Sequence, residues 1–124
     1  MPTAVAIAVA GAVGALARYG LDTLISRRAM TDFPWGTFAV NVTGSFALGL
    51  VIVLTTERFR LDPWLRSGLA VGLLGAYTTF STLSFQTYKL LGDGEYRLAF
   101  AYSLGSLCAG VGALYAGVLV GRAV

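Results

Sequence analysis

Hydrophobic residues in this chain are gathered into long uncharged stretches, which short charged segments separate. Three stretches, residues 33–56, 67–88 and 98–121, contain no Asp, Glu, Lys or Arg, and a fourth covers residues 1–17, just before Arg18. A helix needs about 20 mostly apolar residues to cross the hydrocarbon core of a bilayer. The pattern therefore predicts a single all-α domain of four membrane-spanning helices, at about residues 3–25, 36–56, 63–89 and 98–121.

The composition supports the same prediction. Hydrophobic residues make up 56% of the chain and charged residues only 12%, whereas roughly 25% of the residues in a typical soluble domain are charged. Four spans in a chain of 124 residues leave room only for short loops. We therefore expect a multi-pass protein of the cell inner (plasma) membrane, with most of its residues in the lipid bilayer.

The same composition excludes several classes of function. With one cysteine, Cys108, and no histidine, the chain has neither an intramolecular disulfide nor the usual ligands of a transition-metal site. It also lacks the pairing of nucleophile and base that an enzyme needs, because no Asp or Glu lies within the last three spans. The nine basic residues are scattered, so we expect no nucleic-acid binding despite the net charge of +3.

The third uncharged stretch has a polar centre that is unusual for a helix facing lipid. Two glycines, Gly72 and Gly75, are followed by five hydroxyl side chains, namely Thr78, Thr79, Ser81, Thr82 and Ser84. Non-helical backbone at membrane depth is tolerated only inside protein or beside a polar cavity. One interpretation is a helix broken at its centre, which would mark an ion or substrate site. The other is an intact helix, with hydroxyls bonded to the preceding turn and glycines that allow close packing. Five hydroxyls within seven residues beside two glycines favour the first, so we expect the third helix to be broken at its centre.

Other polar side chains lie in the remaining spans. Asn41 is the strongly polar residue of the second span and either donates amide N–H groups to an anion or makes an interhelical hydrogen bond. Arg18 and Asp22 are four residues apart, so they share a helix face and can neutralise each other, either as an interfacial anchor or in an ion vestibule. In the fourth span Tyr102 and Ser106, one turn apart, form a polar track or ordinary packing.

The positive charges give almost no preferred orientation in the membrane. With four spans, the termini and the second loop share one side with Arg58, Arg60, Arg66 and Arg122. The other side carries Arg27, Arg28, Lys89 and Arg97, with Arg18 nearby. Because the positive-inside rule depends on a difference in Lys and Arg between the two sides, we expect insertion in both orientations. Two oppositely inserted copies can then pair as an antiparallel dimer.

Three motifs occur in the first three spans. They are Gly11-x-x-Gly14-Ala15-x-x-Arg18-Tyr19, Gly36-Thr37-x-x-Val40-Asn41-x-x-Gly44-Ser45-Phe46-x-x-Gly49 and Gly72-x-x-Gly75-x-x-Thr78-Thr79-Phe80-Ser81-Thr82. Together they resemble the Fluc/CrcB family of small fluoride channels. The resemblance implies a dual-topology antiparallel dimer with two pores, through which cytoplasmic fluoride leaves down its electrochemical gradient. It also implies a structural sodium ion, Na⁺, at the dimer interface, bound by the backbone carbonyls of Gly75 and Thr78.

The resemblance implies a fluoride pathway whose chemistry suits a small anion that loses water. Such an anion needs N–H and O–H donors or the electropositive edge of an aromatic ring, and neutral donors allow it to leave again. Asn41 would supply amide donors and Phe80 a ring edge, with Leu83 beside them. Arg18 and Thr37 would lie in a vestibule. Hydroxyl donors would come from Thr79, Ser81, Thr82, Tyr102 and Ser106.

The chain departs from the family pattern at four positions. Leu83 stands where the family has a second pore phenylalanine, and Gln86 stands where an acidic residue is usual. Gly110 and Leu114 replace residues that often carry hydroxyls. The alternatives to a homodimeric channel are therefore a non-conducting subunit or one half of a heterodimer whose partner supplies the missing groups. A small dual-topology multidrug exporter is a further alternative, with Asp22 as its only candidate proton-carrying carboxylate.

Overall fold

The computed structural model describes residues 2–124, and all the regular structure among them is helical. The first two spans are α1 (Pro2–Arg28) and α2 (Trp35–Val53), and α2 continues into a π-helical turn, Leu54–Arg58. The third span comprises α3 (Pro63–Ser67), a π-helical segment (Gly68–Leu74), α4 (Gly75–Tyr77) and α5 (Phe80–Gly92). The fourth is α6 (Tyr96–Ala123). The prediction of an all-α protein with four membrane-spanning helices is confirmed.

The four helical stretches are long enough to cross a membrane. They contain 27, 24, 30 and 28 residues, which at 1.5 Å per residue correspond to about 36 to 45 Å, against about 30 Å for the hydrocarbon core. Each extends past the span expected from the sequence. In the first, second and fourth spans the added residues include charged side chains, whereas the third gains only Leu90, Leu91 and Gly92. At the end of α1, for example, Arg27 and Arg28 lie beside the negative end of the helix dipole.

The third span is interrupted at its centre, as the glycines and hydroxyls predicted. Thr78 and Thr79 have extended backbone, with φ and ψ of −81° and 157° at Thr78 and −148° and 119° at Thr79. We refer to these two residues as the break. The break divides the third span into an N-terminal part that ends at Tyr77 and a C-terminal part that begins at Phe80.

Helix packing depends on glycines that bring backbones together. The most extensive packing is between α2 and α6, and α1 packs mainly against the π-helical segment and, less extensively, against α2 and α4. A Cβ atom on Gly14 would overlap the backbone of Leu73. On the other side of the bundle, a Cβ on Gly117 would overlap the carbonyl of Phe46. Small residues at such contacts are how membrane helices associate closely without a hydrophobic driving force between them.

Large apolar side chains face outward on every span. The outer surfaces of α1 and α6 carry exposed side chains such as Val9, Leu16, Phe100, Leu107 and Val111. The buried apolar residues are few and include Val40, Leu74 and Ala99. This distribution is typical of a protein whose surrounding solvent is hydrocarbon rather than water.

Candidate functional site

The break in the third span is held by one side chain from α2. The Asn41 side chain donates from Nδ2 to the carbonyl oxygen of Thr79 at 3.1 Å, and its Oδ1 accepts from the Thr79 N–H at 2.8 Å. The amide of Asn41 thus bonds both polar backbone groups of one residue, as the opposite residue of an antiparallel β-sheet does. Backbone groups that leave a helix need new hydrogen-bond partners. Asn41 supplies them for both the N–H and the carbonyl of Thr79, the more extended of the two residues of the break.

Two backbone N–H groups at the break donate to side-chain oxygens rather than to backbone carbonyls. The acceptors are Oδ1 of Asn41 and Oγ1 of Thr79. In a continuous helix the N–H of Thr79 would bond the carbonyl of Gly75, and the N–H of Thr82 would bond the carbonyl of Thr78. Here the Thr79 N–H donates to Asn41, and the Thr82 N–H donates to Oγ1 of Thr79 at 3.3 Å. The carbonyls of Gly75 and Thr78 therefore lack their helical donors. They are the two carbonyls that the resemblance assigned to sodium.

These two carbonyls fit a sodium ion chemically. Carbonyl oxygens are hard ligands of the kind that non-transition cations prefer. They also lie at the C-terminal end of the first half of the span, where the helix dipole is negative. Gly75 is exposed in the single chain and Thr78 is half-buried, so a second copy would have access to the same place.

The second half of the span begins with a cluster of hydroxyls. Thr79 is the N-cap residue of α5, and its hydroxyl donates to Oγ1 of Thr82 at 3.0 Å. Ser81 is exposed, with its hydroxyl oxygen 3.5 Å from that of Thr79. Because Oγ1 of Thr82 accepts from Thr79, its own proton is available to another acceptor. The hydroxyls stand at the positive end of the α5 dipole, which favours negative charge.

A cavity of about 190 Å³ lies beside these hydroxyls. Its walls come from α1, α2 and the start of the second half-span, and are formed by Ala15, Arg18, Tyr19, Asp22, Thr37, Val40, Thr79 and Thr82. The two residues expected in a vestibule, Arg18 and Thr37, are thus brought to one cavity together with Thr79 and Thr82. A cationic side chain on a cavity wall attracts an anion, whereas the hydroxyls provide neutral donors.

The predicted neutralisation of Arg18 by Asp22 is not found. Among residues 2–124 the single ion pair joins Arg122 to Glu57 at 3.3 Å. Asp22 instead accepts a hydrogen bond from the hydroxyl of Ser26 at 3.1 Å, whereas Nε of Arg18 is buried without a partner in the described part of the chain. A spacing of four residues puts the two side chains on one face, but Ser26 is equally close to Asp22 on that face. Among residues 2–124 the guanidinium of Arg18 therefore makes no ion pair, although the carboxylate of Asp22 lines the same cavity.

Tyr102 and Ser106 are both buried, with exposed fractions of 0% and 6%. The hydroxyl of Tyr102 donates to Oε1 of Gln86 at 2.6 Å, and its ring meets Phe33 edge-on at 5.4 Å. The hydroxyl of Ser106 has no partner among the described residues. Sequence reasoning treated Gln86 only as a departure from the family pattern and did not include it in the site. The position of Gln86 on the half of the third span that carries the hydroxyls could have indicated that it belongs to the site.

Phe80 and Leu83 lie in different surroundings although both are on the first turn of α5. Phe80 is 79% exposed in the single chain, so its ring is placed on the surface rather than beside Asn41. Leu83 packs against the cluster formed by Leu90, Ala99 and Tyr102. An exposed aromatic ring next to an exposed hydroxyl, that of Ser81, is a surface that a second copy could complete.

A second and larger cavity, about 410 Å³, opens at the end of the bundle where α1 and α5 finish. Gln86, Lys89 and Trp35 line it together with the carboxylates of Asp32 and Asp93. The side-chain carbonyl oxygen of Gln86 accepts a hydrogen bond from buried Tyr102. The same residue forms part of the wall of an open cavity.

Comparisons with known proteins give one consistent result. Residues 5–118 match the family model described as CrcB-like protein, Camphor Resistance (CrcB). The fluoride-specific ion channel FluC of Solibacter usitatus is 45% identical over 116 residues, which are 94% of this chain and 95% of that protein. The protein of the same name from Roseiflexus sp. is 45% identical over 118 residues, 95% of each chain. That of Geobacter sulfurreducens is 44% identical over 122 residues, 98% of each chain.

Proposed function

Because this chain belongs to the CrcB-like family, we propose that it is a fluoride-selective ion channel that lets fluoride leave the cytoplasm passively. The family resemblance read from the three motifs is confirmed. The chain is a multi-pass protein of the plasma membrane, and proteins of this family are channels and not enzymes.

The observation that carries this proposal is the set of neutral donors around the break. Hydroxyls of Thr79 and Thr82 line a cavity that also contains the guanidinium of Arg18 and the carboxylate of Asp22. The Thr82 proton is free for an anion, whereas the Thr79 hydroxyl donates to Thr82. A small anion could exchange part of its hydration shell for such donors, and because they are neutral it could leave again.

The deeper hydroxyls, those of Tyr102 and Ser106, are buried on α6. That of Ser106 has no partner among the described residues, whereas that of Tyr102 would leave Gln86 to donate to the anion. We propose that fluoride passes from the vestibule at Arg18 and Thr37 along these hydroxyls.

Phe80, Ser81 and Leu83 complete the proposed pathway. The exposed ring of Phe80 would offer its electropositive edge to the anion once a second copy covers it. Leu83, in contrast, lines the pathway only with apolar surface, since it packs beside Tyr102. Asn41 would act at the break between these residues and the vestibule.

We also propose that a sodium ion binds the carbonyls of Gly75 and Thr78. The loss of their helical donors supports this assignment, as does the negative end of the preceding half-helix. The ion, when bound, would supply fixed positive charge near the pathway.

The proposed assembly is an antiparallel homodimer with two pores. The balanced positive charges on the two sides support opposite insertion. The exposed Gly75, Phe80 and Ser81 support a contact at the break. A heterodimer remains the alternative, since Leu83 and Gln86 depart from the family pattern.

Fluoride efflux from liposomes that contain the purified protein tests the proposed function. The wild-type chain alone should release trapped fluoride after a potassium ionophore is added, and chloride far more slowly. Release of neither ion would support a non-conducting or partner-dependent subunit instead. Labelling of a cysteine introduced into the 93–95 loop of a Cys108→Ala background tests the assembly: reaction from both sides of the membrane is expected, whereas reaction from one side only would contradict opposite insertion.

A further inference from the structure

Asn41 has a second role that its place in an anion pathway does not explain. We infer that Asn41 is a positioning residue, which keeps the break extended and thereby keeps the Gly75 carbonyl free. For its effect on transport this inference rests on the proposed function. Its structural part stands on the hydrogen bonds around Thr79.

Most of the hydrogen-bonding capacity of the Asn41 side chain is already used. Both its carbonyl oxygen and one of its two N–H donors are bonded to the backbone of Thr79. One N–H remains for an anion. The main hydrogen bonds of the side chain are therefore with the protein backbone and not with the pathway.

The Thr79 N–H has two alternative hydrogen-bond partners. Without Asn41, that N–H would turn either to water or to the Gly75 carbonyl, four residues earlier, which a regular helix would give it. Either change removes Thr79 from the conformation it has here, with φ of −148°. A return to Gly75 would also occupy one of the two freed carbonyls.

The bonds of Asn41 to Thr79 also affect the start of α5. The Thr79 hydroxyl caps α5 through the N–H of Thr82 and donates to Oγ1 of Thr82. Both bonds depend on the direction in which the Thr79 backbone points. Releasing the backbone from Asn41 therefore displaces the hydroxyls on the cavity wall as well as the start of the helix that carries Phe80.

A selective isotope label can report on this one peptide bond. The chain contains only two Thr-Thr pairs, Thr55-Thr56 and Thr78-Thr79. Threonine labelled with ¹³C at the carbonyl and ¹⁵N at the amide therefore gives two carbonyl-to-nitrogen NMR signals from the full-length protein in lipid. One signal contains the freed Thr78 carbonyl and the diverted Thr79 amide. The other comes from a π-helical turn far from Asn41 and is an internal reference.

Two variants separate the bonds that Asn41 makes. Asn41→Leu keeps a similar volume and removes both bonds, whereas Asn41→Asp keeps an acceptor for the Thr79 N–H and removes the donor. The matched control is Thr43→Val. Thr43 also joins α2 to the third span, through the hydroxyl of Tyr77 at 2.9 Å, but before the break.

We expect Asn41→Leu to move or broaden the 78–79 signal, Asn41→Asp to move it in part, and Thr43→Val to leave it unchanged. The 55–56 signal should stay in place in all of them. Fluoride efflux of Asn41→Leu should fall by roughly tenfold to a hundredfold, the loss expected from one or two unmade hydrogen bonds.

The inference is overturned if Asn41→Leu lowers efflux while its 78–79 signal remains that of the wild type, because Asn41 would then act on the anion alone. If the signal moves and efflux does not change, Asn41 holds the break but its effect on transport is overturned. Absence of fluoride efflux from the wild-type protein would instead contradict the proposed function, and the signals would still decide whether Asn41 holds the break. The proposed sodium ion is tested separately, by replacing sodium with N-methylglucamine in the buffer of the wild-type protein. If sodium binds the Thr78 carbonyl, the 78–79 signal should move.

Discussion

Gly117→Ala tests whether the contact between α2 and α6 depends on backbone approach. A Cβ atom at residue 117 would overlap the carbonyl oxygen of Phe46 and lie 2.9 Å from the backbone nitrogen of Leu50. Both are backbone atoms of α2, which cannot turn aside as a flexible side chain can. Gly49 makes the reciprocal contact with the backbone of Leu114, so the two helices would have to separate.

The magnitude follows from two opposing effects. Replacing glycine by alanine inside a helix is favourable by about 1 kcal/mol in intrinsic propensity. Overpacking a tight contact costs roughly 1 to 3 kcal/mol, or more when backbone must shift. Gly112→Ala is the matched control, because Gly112 lies on the same helix and a Cβ atom there would meet no other part of residues 2–124 within 4 Å. Since both variants gain the propensity, the difference in their free energies of unfolding isolates the packing cost.

We expect Gly117→Ala to be less stable than Gly112→Ala by about 1 to 3 kcal/mol. Equilibrium unfolding in mixed micelles, followed by the fluorescence of Trp35 and Trp64, would measure the difference. Gly105→Ala is a second control, since Gly105 is equally open. Equal stability of all three variants would mean that the glycines of α6 do not set the distance between the helices.

Further predictions concern the pathway. Tyr102→Phe removes the hydroxyl that donates to Gln86 and should lower stability by about 1 kcal/mol; it should also slow fluoride efflux, and normal efflux would take Tyr102 out of the pathway. Phe80→Ile keeps much of the volume without the ring edge and should slow efflux while dimerisation on gel filtration is retained; unchanged efflux would contradict its assignment. Leu83→Phe restores the family's aromatic residue and should raise efflux or leave it level in a homodimeric channel; a loss would favour a heterodimer.

The position of the break could be predicted from the sequence, whereas its partner could not. Gly72, Gly75 and the hydroxyls after them indicated weak helix and polar surroundings within one span, and those are local properties. That Asn41 bonds both backbone groups of Thr79 depends on how α2 packs against the third span, 38 residues away along the chain. The sequence left the role of Asn41 open between an anion donor and an interhelical bond. The structure contains the interhelical bond, which is made to backbone.

Local spacing was misleading where a competing neighbour was present. Arg18 and Asp22 were expected to neutralise each other because they are one turn apart, but Ser26 lies one turn further and bonds Asp22. The two π-helical segments have no sequence pattern that distinguishes them from α-helix. The outward position of Phe80 follows from packing, since periodicity alone does not tell which face of α5 meets α6.

The most direct test of the central claim is the reversal potential of the current that the purified chain carries in a planar lipid bilayer. With a tenfold fluoride gradient and equal chloride on both sides, the current of a passive fluoride-selective channel should reverse at the equilibrium potential of fluoride. Its magnitude is about 59 mV, and the side with less fluoride is negative. The value should not change when a pH gradient is added. A reversal potential near zero would contradict fluoride selectivity, and one that follows the pH gradient would indicate coupling to protons and hence an exporter.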